Sequence, residues 1–100
     1  MAKIVENMQE FNQILNLDKV VVDFYADWCG PCKMMAPFFE KVSEEFPEIN
    51  FIKVNVDVAR EISDKYSIMS IPTTIVFVNG EVYKKHTGFL NKEGLEELIK

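Results

Sequence analysis

Two cysteines, Cys29 and Cys32, are the residues of this sequence whose type and spacing most directly suggest chemistry. They are the only cysteines of the chain and lie in the segment Trp28-Cys29-Gly30-Pro31-Cys32. Residues three positions apart at the start of a helix share one face, where their Cα atoms lie within the roughly 4.4 to 6.8 Å that a disulfide allows. We therefore expect the two thiols to open and close as a pair, which is the chemistry of dithiol–disulfide exchange.

An amphipathic helix is predicted to begin near Cys29. Pro31 would lie in its first turn, where a missing N–H group costs nothing. The unpaired N–H groups and the positive end of the helix dipole favour a thiolate at Cys29, so Cys29 is the predicted nucleophile. Cys32, one turn further in and more enclosed, is predicted to resolve the mixed disulfide. The apolar residues that repeat at helical spacing after the motif are Met35, Phe38, Phe39, Val42 and Phe46.

Two other interpretations of the cysteine pair are half of a metal site and a pair of incidental core thiols. A structural zinc ion usually takes four ligands, and His86 is the one conventional ligand that remains. We therefore predict no metal ion. In a chain that alternates strands and helices, a C-x-x-C motif favours redox chemistry.

A central sheet is predicted to position the motif. The run from Val20 to Tyr25 is rich in β-branched and aromatic residues and ends at a polar turn, which indicates a buried parallel strand. Residues 51–56 would be parallel to it through a right-handed crossover made by the long helix. Asn79-Gly80 is predicted to join two antiparallel strands through a type I′ turn. The predicted strands cover residues 3–5, 20–25, 51–56, 73–78 and 81–84. The second helix is predicted to begin near Cys29, and the first, third and fourth after the N-cap residues Asn7, Asp57 and Asn91.

Asp23 lies inside the apolar run of residues 20–25, where a carboxylate is costly unless it is paired or protonated. An alternative interpretation is that Asp23 lies at the end of a strand and its side chain faces solvent. The residues on both sides are apolar, however, and the neighbouring strand supplies Lys53 at a comparable depth. We therefore expect burial to raise the pKa of Asp23 and Lys53 to oppose part of that shift. A carboxyl group with a raised pKa is suited to general-base work.

Together these motifs resemble the thioredoxin family, and the resemblance spans nearly the whole chain. The residues that carry it are Trp28 to Cys32 after a strand containing Val22-Asp23-Phe24, Lys53, Ile71-Pro72-Thr73 before a second apolar strand, and Gly88 after the last strand. The main departure is Tyr25, where many members carry a second tryptophan. The resemblance implies an α/β thioredoxin fold, with a central mixed five-stranded sheet flanked by four helices, in a single domain over residues 1–100.

The resemblance also implies a function, the reduction of protein disulfides through Cys29 and Cys32. In the family, the aspartate that matches Asp23 lies beneath the disulfide and takes the proton from the second cysteine. The resemblance therefore implies that Asp23 and the neighbouring Lys53 belong to the catalytic site. Taken alone, Pro72 would be an ordinary trans turn proline. The matching family proline is cis, so that the backbone of the preceding residue can pair with an extended substrate segment. The residues implied to contact substrate are Trp28, Gly30, Pro31, Ile71, Pro72 and Gly88.

Partners are likewise implied by the resemblance. Electrons would come from a separate thioredoxin reductase, and targets would include peroxiredoxins, methionine sulfoxide reductases and ribonucleotide reductase. No bound cofactor is expected beyond the redox-active disulfide, and the expected state is a monomer.

Two other functions fit parts of the sequence. An oxidant or isomerase of the secretory pathway would share the C-x-x-C motif, although Gly30-Pro31 stands where those proteins typically carry a histidine. A binding subunit or folding clamp of a larger complex would use a groove at Trp28, Ile71 and Gly88 without redox chemistry. Insulin reduction by a Cys29→Ser variant would separate that role from a reductase.

Composition narrows the classes of partner. One hundred residues with 48% hydrophobic content suffice for one core. The formal charge of −5 and the lack of a basic cluster argue against nucleic acid and anionic membranes as partners. No apolar run approaches the ~18 residues of a membrane span, and residues 1–7 lack the apolar core of a signal peptide. We therefore expect a cytoplasmic protein.

Overall fold

The computed structural model describes residues 2–100, which form five strands and four helices. The strands are β1 (Lys3–Ile4), β2 (Lys19–Tyr25), β3 (Asn50–Asn55), β4 (Thr73–Val78) and β5 (Glu81–Thr87). The helices are α1 (Met8–Ile14), α2 (Gly30–Glu45), α3 (Arg60–Lys65) and α4 (Lys92–Leu98). None of these helices is long and apolar enough to cross a membrane.

The strands form one mixed sheet in the order β1-β3-β2-β4-β5. β1, β3 and β2 are parallel to one another, whereas β4 is antiparallel to both β2 and β5. The predicted mixed five-stranded sheet with four helices is therefore confirmed, including the parallel pair that α2 connects.

Successive side chains of β2 point to opposite faces of the sheet, so the core consists of two clusters, one on each face. Val20, Val22 and Phe24 belong to a cluster that packs under α1 and α3. Val21 belongs to the other cluster, which packs under α2 and α4. Because side chains alternate along a strand, Asp23 lies on the same face as Val21. The sheet thus places Asp23 on the face that is covered by the helix carrying the second cysteine.

Local signals predicted several element ends correctly. Asn7 and Asn91 are the N-caps of α1 and α4, and each side chain accepts a 2.8 Å hydrogen bond from the backbone N–H group three residues further on. Asn79 and Gly80 have φ angles of 52° and 83°, as a type I′ turn requires. The observed ends of β2, β3 and β4 lie within one residue of the predicted ends.

Two predictions about elements are wrong. Asp57 does not cap α3, whose N-cap is Ala59 and has no side-chain hydrogen bond. The Asp57 carboxylate instead accepts a 2.8 Å hydrogen bond from the indole N–H group of Trp28. β5 extends to Thr87 rather than Lys84, because its pairing with β4 continues to that point. An edge strand leaves most of its side chains exposed, so the polar second half of β5 has no apolar pattern.

Candidate active site

The two cysteines lie where β2 is followed by α2. Cys29 is the N-cap of α2 and forms a disulfide with Cys32, whose Cα atom is 5.2 Å away. The sulfur atom of Cys29 also accepts a 3.2 Å hydrogen bond from the backbone N–H group of Cys32. Both residues are buried, with exposed fractions of 4% and 3%. The predicted pairing is confirmed, and Pro31 lies in the first turn of the helix as expected.

The start of α2 determines the electrostatic setting of Cys29. The helix is 16 residues long, and its first N–H groups have no helical carbonyl partners. The positive end of the helix dipole therefore lies at Cys29. No acidic residue in the first turn offsets this field. The start of α2 therefore supplies groups that can stabilise negative charge at the Cys29 sulfur atom.

A cis peptide bond between Ile71 and Pro72 lies beside the disulfide. The carbonyl oxygen of Ile71 is 3.9 Å from the sulfur atom of Cys29. Gly88 packs against the same turn, because its N–H group donates a 2.7 Å hydrogen bond to the carbonyl oxygen of Pro72. Its φ angle of 113° is a backbone conformation that residues with side chains rarely adopt. The fold thus brings Ile71, Pro72 and Gly88 together with the redox-active pair.

Trp28 forms an exposed apolar surface next to Cys29. Its side chain is 71% exposed even though its indole N–H group is bonded to Asp57. Further exposed apolar residues that lie within two positions of these site residues are Val58, Met69 and Phe89. The sequence pattern did not predict their exposure. An apolar residue is normally expected in the core, and only the packing of the whole chain shows whether another element covers it.

Asp23 is fully buried on the face covered by α2. It pairs in the ladders with Lys53 of β3 on one side and Thr74 of β4 on the other. Burial raises the pKa of its carboxyl group to about 7, and the charge of Lys53 opposes the shift. The predicted burial of Asp23 is confirmed. Its pKa is also raised, as predicted, with burial as the main cause and the Lys53 charge opposing it. The carboxyl group can therefore change its protonation state near neutral pH.

A cavity of about 380 Å³ reaches Cys32 from the side of β3, and its polar lining includes Lys53, Lys33 and Asp27. Lys53 stands with its ammonium group 4.6 Å from the centre of the Tyr25 ring. Burial, together with the charges of Asp27 and Asp23, raises the pKa of the Tyr25 phenol. Within residues 2–100, no group of three or more His, Cys, Asp or Glu side chains is arranged to hold a metal ion.

A redox-capable disulfide at the N-terminus of α2, in a mixed sheet of order β1-β3-β2-β4-β5, is the arrangement of a protein disulfide oxidoreductase of thioredoxin fold. A family model described as Thioredoxin matches residues 2–100, and the chain belongs to this family. A thioredoxin from Mycoplasmoides gallisepticum is 50% identical over 99 residues, which cover 98% of this chain and 99% of the relative.

Solved structures agree in both fold and sequence. Plasmodium falciparum thioredoxin superposes with a TM-score of 0.92 at 42% identity, covering 98% of this chain and 96% of that one. Another similar chain comes from a study of thiol resolution in yeast mitochondrial 1-Cys peroxiredoxin via glutathione/thioredoxin systems. It has a TM-score of 0.91 and 34% identity, and covers 98% of this chain and 92% of that one. The protein is therefore a protein disulfide reductase that works by dithiol–disulfide exchange through Cys29 and Cys32.

Proposed function

We propose that Cys29 is the thiolate that attacks target disulfides and that Cys32 is the thiol that resolves the mixed disulfide. The observation that supports this assignment most strongly is the place of Cys29 as the N-cap of α2. The hydrogen bond from the backbone N–H group of Cys32 would stabilise a negative charge on the Cys29 sulfur atom. Cys32 lacks this position and lies one turn further into the helix.

The exchange begins with both cysteines reduced. The Cys29 thiolate attacks one sulfur atom of the target disulfide, the target S–S bond breaks, and the first target thiolate leaves and takes up a proton. Cys32 then loses its proton and attacks the sulfur atom of Cys29. This step forms the Cys29–Cys32 bond and releases the second target sulfur as a thiolate, which is also protonated. Two electrons pass from the protein to its target. The two target thiolates take up protons from solvent, which has received one proton from Cys29 and, through Asp23, one from Cys32.

Asp23 accepts the proton of Cys32 in this scheme. Support comes from its burial beneath α2 and from a pKa of about 7, which allows the carboxyl group to gain and lose a proton near neutral pH. Lys53 acts on Asp23 through its positive charge and limits the rise in that pKa. The cavity that Lys53 shares with Cys32 would let water carry the proton away.

Target chains bind as extended segments across the turn that contains Ile71 and Pro72. The carbonyl oxygen of Ile71 points towards the disulfide and suits backbone pairing with a substrate strand. Trp28 supplies an exposed apolar contact at the edge of this surface. A Cβ atom added at Gly30 would meet no atom within 4 Å, so the surface beside Cys29 is open. The substrate-contacting residues of this proposal are Trp28, Gly30, Pro31, Ile71, Pro72 and Gly88.

The electron donor is a thioredoxin reductase, and the targets include peroxiredoxins, methionine sulfoxide reductases and ribonucleotide reductase. Membership of the thioredoxin family supports these partners in general. Peroxiredoxin is favoured further by the similar yeast chain studied with a mitochondrial 1-Cys peroxiredoxin. We place the protein in the cytoplasm as a monomer. Oxidation of NADPH by a thioredoxin reductase, coupled to this chain and a peroxiredoxin, would test the pathway directly.

A trapping experiment tests the roles of the two cysteines. We expect a Cys32→Ser variant to accumulate mixed disulfides between Cys29 and target proteins, because the resolving thiol is absent. The matched Cys29→Ser variant should trap almost nothing and should not reduce insulin. Equal trapping by both variants, or trapping mainly through Cys32, would reverse the assignment of nucleophile and resolving thiol.

A further inference from the structure

Three buried side-chain atoms in residues 2–100 have no hydrogen-bond partner, and all three lie at one place in the sheet. They are the two carboxyl oxygens of Asp23 and the hydroxyl oxygen of Thr74. Both residues have an exposed fraction of 0%. Buried polar atoms without partners are rare, because each has given up its hydrogen bonds to water. Two such residues side by side indicate that each is the partner of the other at some stage of the reaction.

The register of the sheet places the two side chains within reach. Thr74 of β4 is directly opposite Asp23 of β2 in an antiparallel ladder. Directly opposed residues on one face have Cβ atoms about 4.5 to 5.5 Å apart, which a hydroxyl group spans by rotation about χ1. Lys53 is opposite Asp23 on the other side. Within the sheet, the carboxyl group thus lies between a cation and a hydroxyl group.

We propose that Thr74 is a positioning residue for Asp23, and that its hydroxyl group donates a hydrogen bond to the ionised carboxylate and accepts one from the protonated carboxyl group. This inference rests on the proposed role of Asp23 as proton acceptor. A hydroxyl group suits both protonation states, because it has one donor hydrogen and two acceptor lone pairs. When the Cys32 thiol passes its proton to Asp23 and becomes a thiolate, the hydrogen bond to Thr74 persists with its direction reversed.

Other charged or titratable groups face this pair from the neighbouring elements. His86 of β5 is the cross-strand partner of Thr74, but neither ring nitrogen forms a hydrogen bond with the Thr74 hydroxyl group. Of the two residues opposite Thr74, Asp23 is therefore the one whose side chain we consider as the hydrogen-bond partner of the Thr74 hydroxyl group. Lys53 on β3 is the charged group directly opposite Asp23. Tyr25, Asp27, Cys32 and Lys33 line the cavity next to Lys53, and neither Asp23 nor Thr74 is part of that lining.

The alternative is that Thr74 only fills space, as β-branched residues commonly do in strands. Valine has nearly the same shape and no hydroxyl group, so in that case Thr74→Val would leave Asp23 unaffected. If Thr74 positions Asp23, the same change removes a hydrogen bond to the ionised form. The pKa of Asp23 should then rise.

The direct test is titration of the Asp23 side-chain carboxyl group by NMR in the oxidised 100-residue chain. We expect Thr74→Val to raise the pKa of Asp23 by about one unit, a tenfold change in the ionisation constant. Thr74→Ser keeps the hydroxyl group and should stay within about 0.3 unit of the parent protein. Thr73→Val is the matched control, because Thr73 points to the opposite face and donates to the carbonyl oxygen of Ser70. A His86→Gln background removes the imidazole that lies opposite Thr74 in the ladder.

A second readout is the pH profile for release of a target from its mixed disulfide with Cys29. Thr74→Val should move this profile upwards by the same amount, and Thr74→Ser should not. An unchanged pKa of Asp23 in Thr74→Val, or a shift that Thr74→Ser fails to reverse, would overturn the inference. The titration does not depend on activity. A failure of Asp23 as proton acceptor would appear separately, as an unchanged release rate in Asp23→Asn.

Discussion

At the scale of single residues, the Asp23 carboxyl group is unfavourable in its site whenever it is ionised. Burial raises its pKa from 3.8 to about 7, and Lys53 opposes the shift. Between these two pH values the folded protein keeps a proton that the unfolded chain has released, so stability falls as pH rises through this window. The contribution of Asp23 is therefore fully present below pH 3.8 and is lost above about pH 7.

Asp23→Asn should stabilise the protein at alkaline pH while it slows the release of targets. The asparagine cannot ionise, so the penalty is removed, and a shift of this size corresponds to about 4 kcal/mol in the free energy of unfolding above pH 7. Near pH 4 the two proteins should differ little, because the parent carboxyl group is protonated in the fold. Urea unfolding from pH 4 to pH 9 measures the difference. A variant that is less stable than the parent at pH 8 would contradict this account of Asp23.

Lys53→Met should raise the pKa of Asp23 still further. The lysine charge is the influence that opposes desolvation, and its loss should move the pKa upwards by about one unit. Lys33→Met is a matched control, because Lys33 lines the same cavity and does not act on Asp23. Titration of the Asp23 carboxyl group by NMR distinguishes the two variants. Equal shifts in both would show that general surface charge, and not Lys53, determines this pKa.

At the scale of elements, the short helices depend on their caps and on packing. α1 and α4 have seven residues each, which is too few for a stable helix in isolation. Each begins with an asparagine whose side chain satisfies one of the free N–H groups of the first turn. Each also has one fully buried residue, Phe11 in α1 and Leu95 in α4, that packs against the sheet.

Removal of an N-cap side chain should therefore lower the free energy of unfolding of the whole protein. Asn91→Ala should lower the free energy of unfolding by about 1 kcal/mol, whereas Asn91→Ser keeps a capping oxygen and should have a much smaller effect. Asn7→Ala should behave in the same way at the start of α1. Urea midpoints with unchanged slopes measure these differences. If Asn91→Ala proved as stable as Asn91→Ser, the cap would have no energetic role in α4.

At the scale of the whole molecule, net charge influences which targets arrive fastest. The formal charge of −5 favours the approach of basic chains and disfavours acidic ones, and salt screens both effects. We expect a disulfide peptide with added lysines to be reduced several-fold faster than its acidic counterpart at low ionic strength. Stopped-flow measurement from about 0.01 to 0.5 M salt should show the two rates converging, with a neutral peptide as control. A rate ratio that does not depend on salt would exclude electrostatic steering.

The sequence alone determined the features that depend on neighbouring residues. The C-x-x-C pair, the start of α2 at Cys29, the Asn79-Gly80 turn and the cap at Asn91 each involve residues within a few positions of one another. Their conformations follow from local sterics and hydrogen bonding. The burial of Asp23 was also predictable, because the apolar residues around it in β2 require a buried strand.

The tertiary structure decided the features that depend on pairing between distant segments. Thr74 faces Asp23 because β4 pairs with β2 in one particular register, and residues 51 positions apart carry no local sign of that contact. Asp57 bonds Trp28 instead of capping α3 for the same reason. The exposure of Met69 and Phe89 depends on whether another element covers them. Sheet register and burial result from the packing of the whole chain, and they determine which polar groups meet at the site.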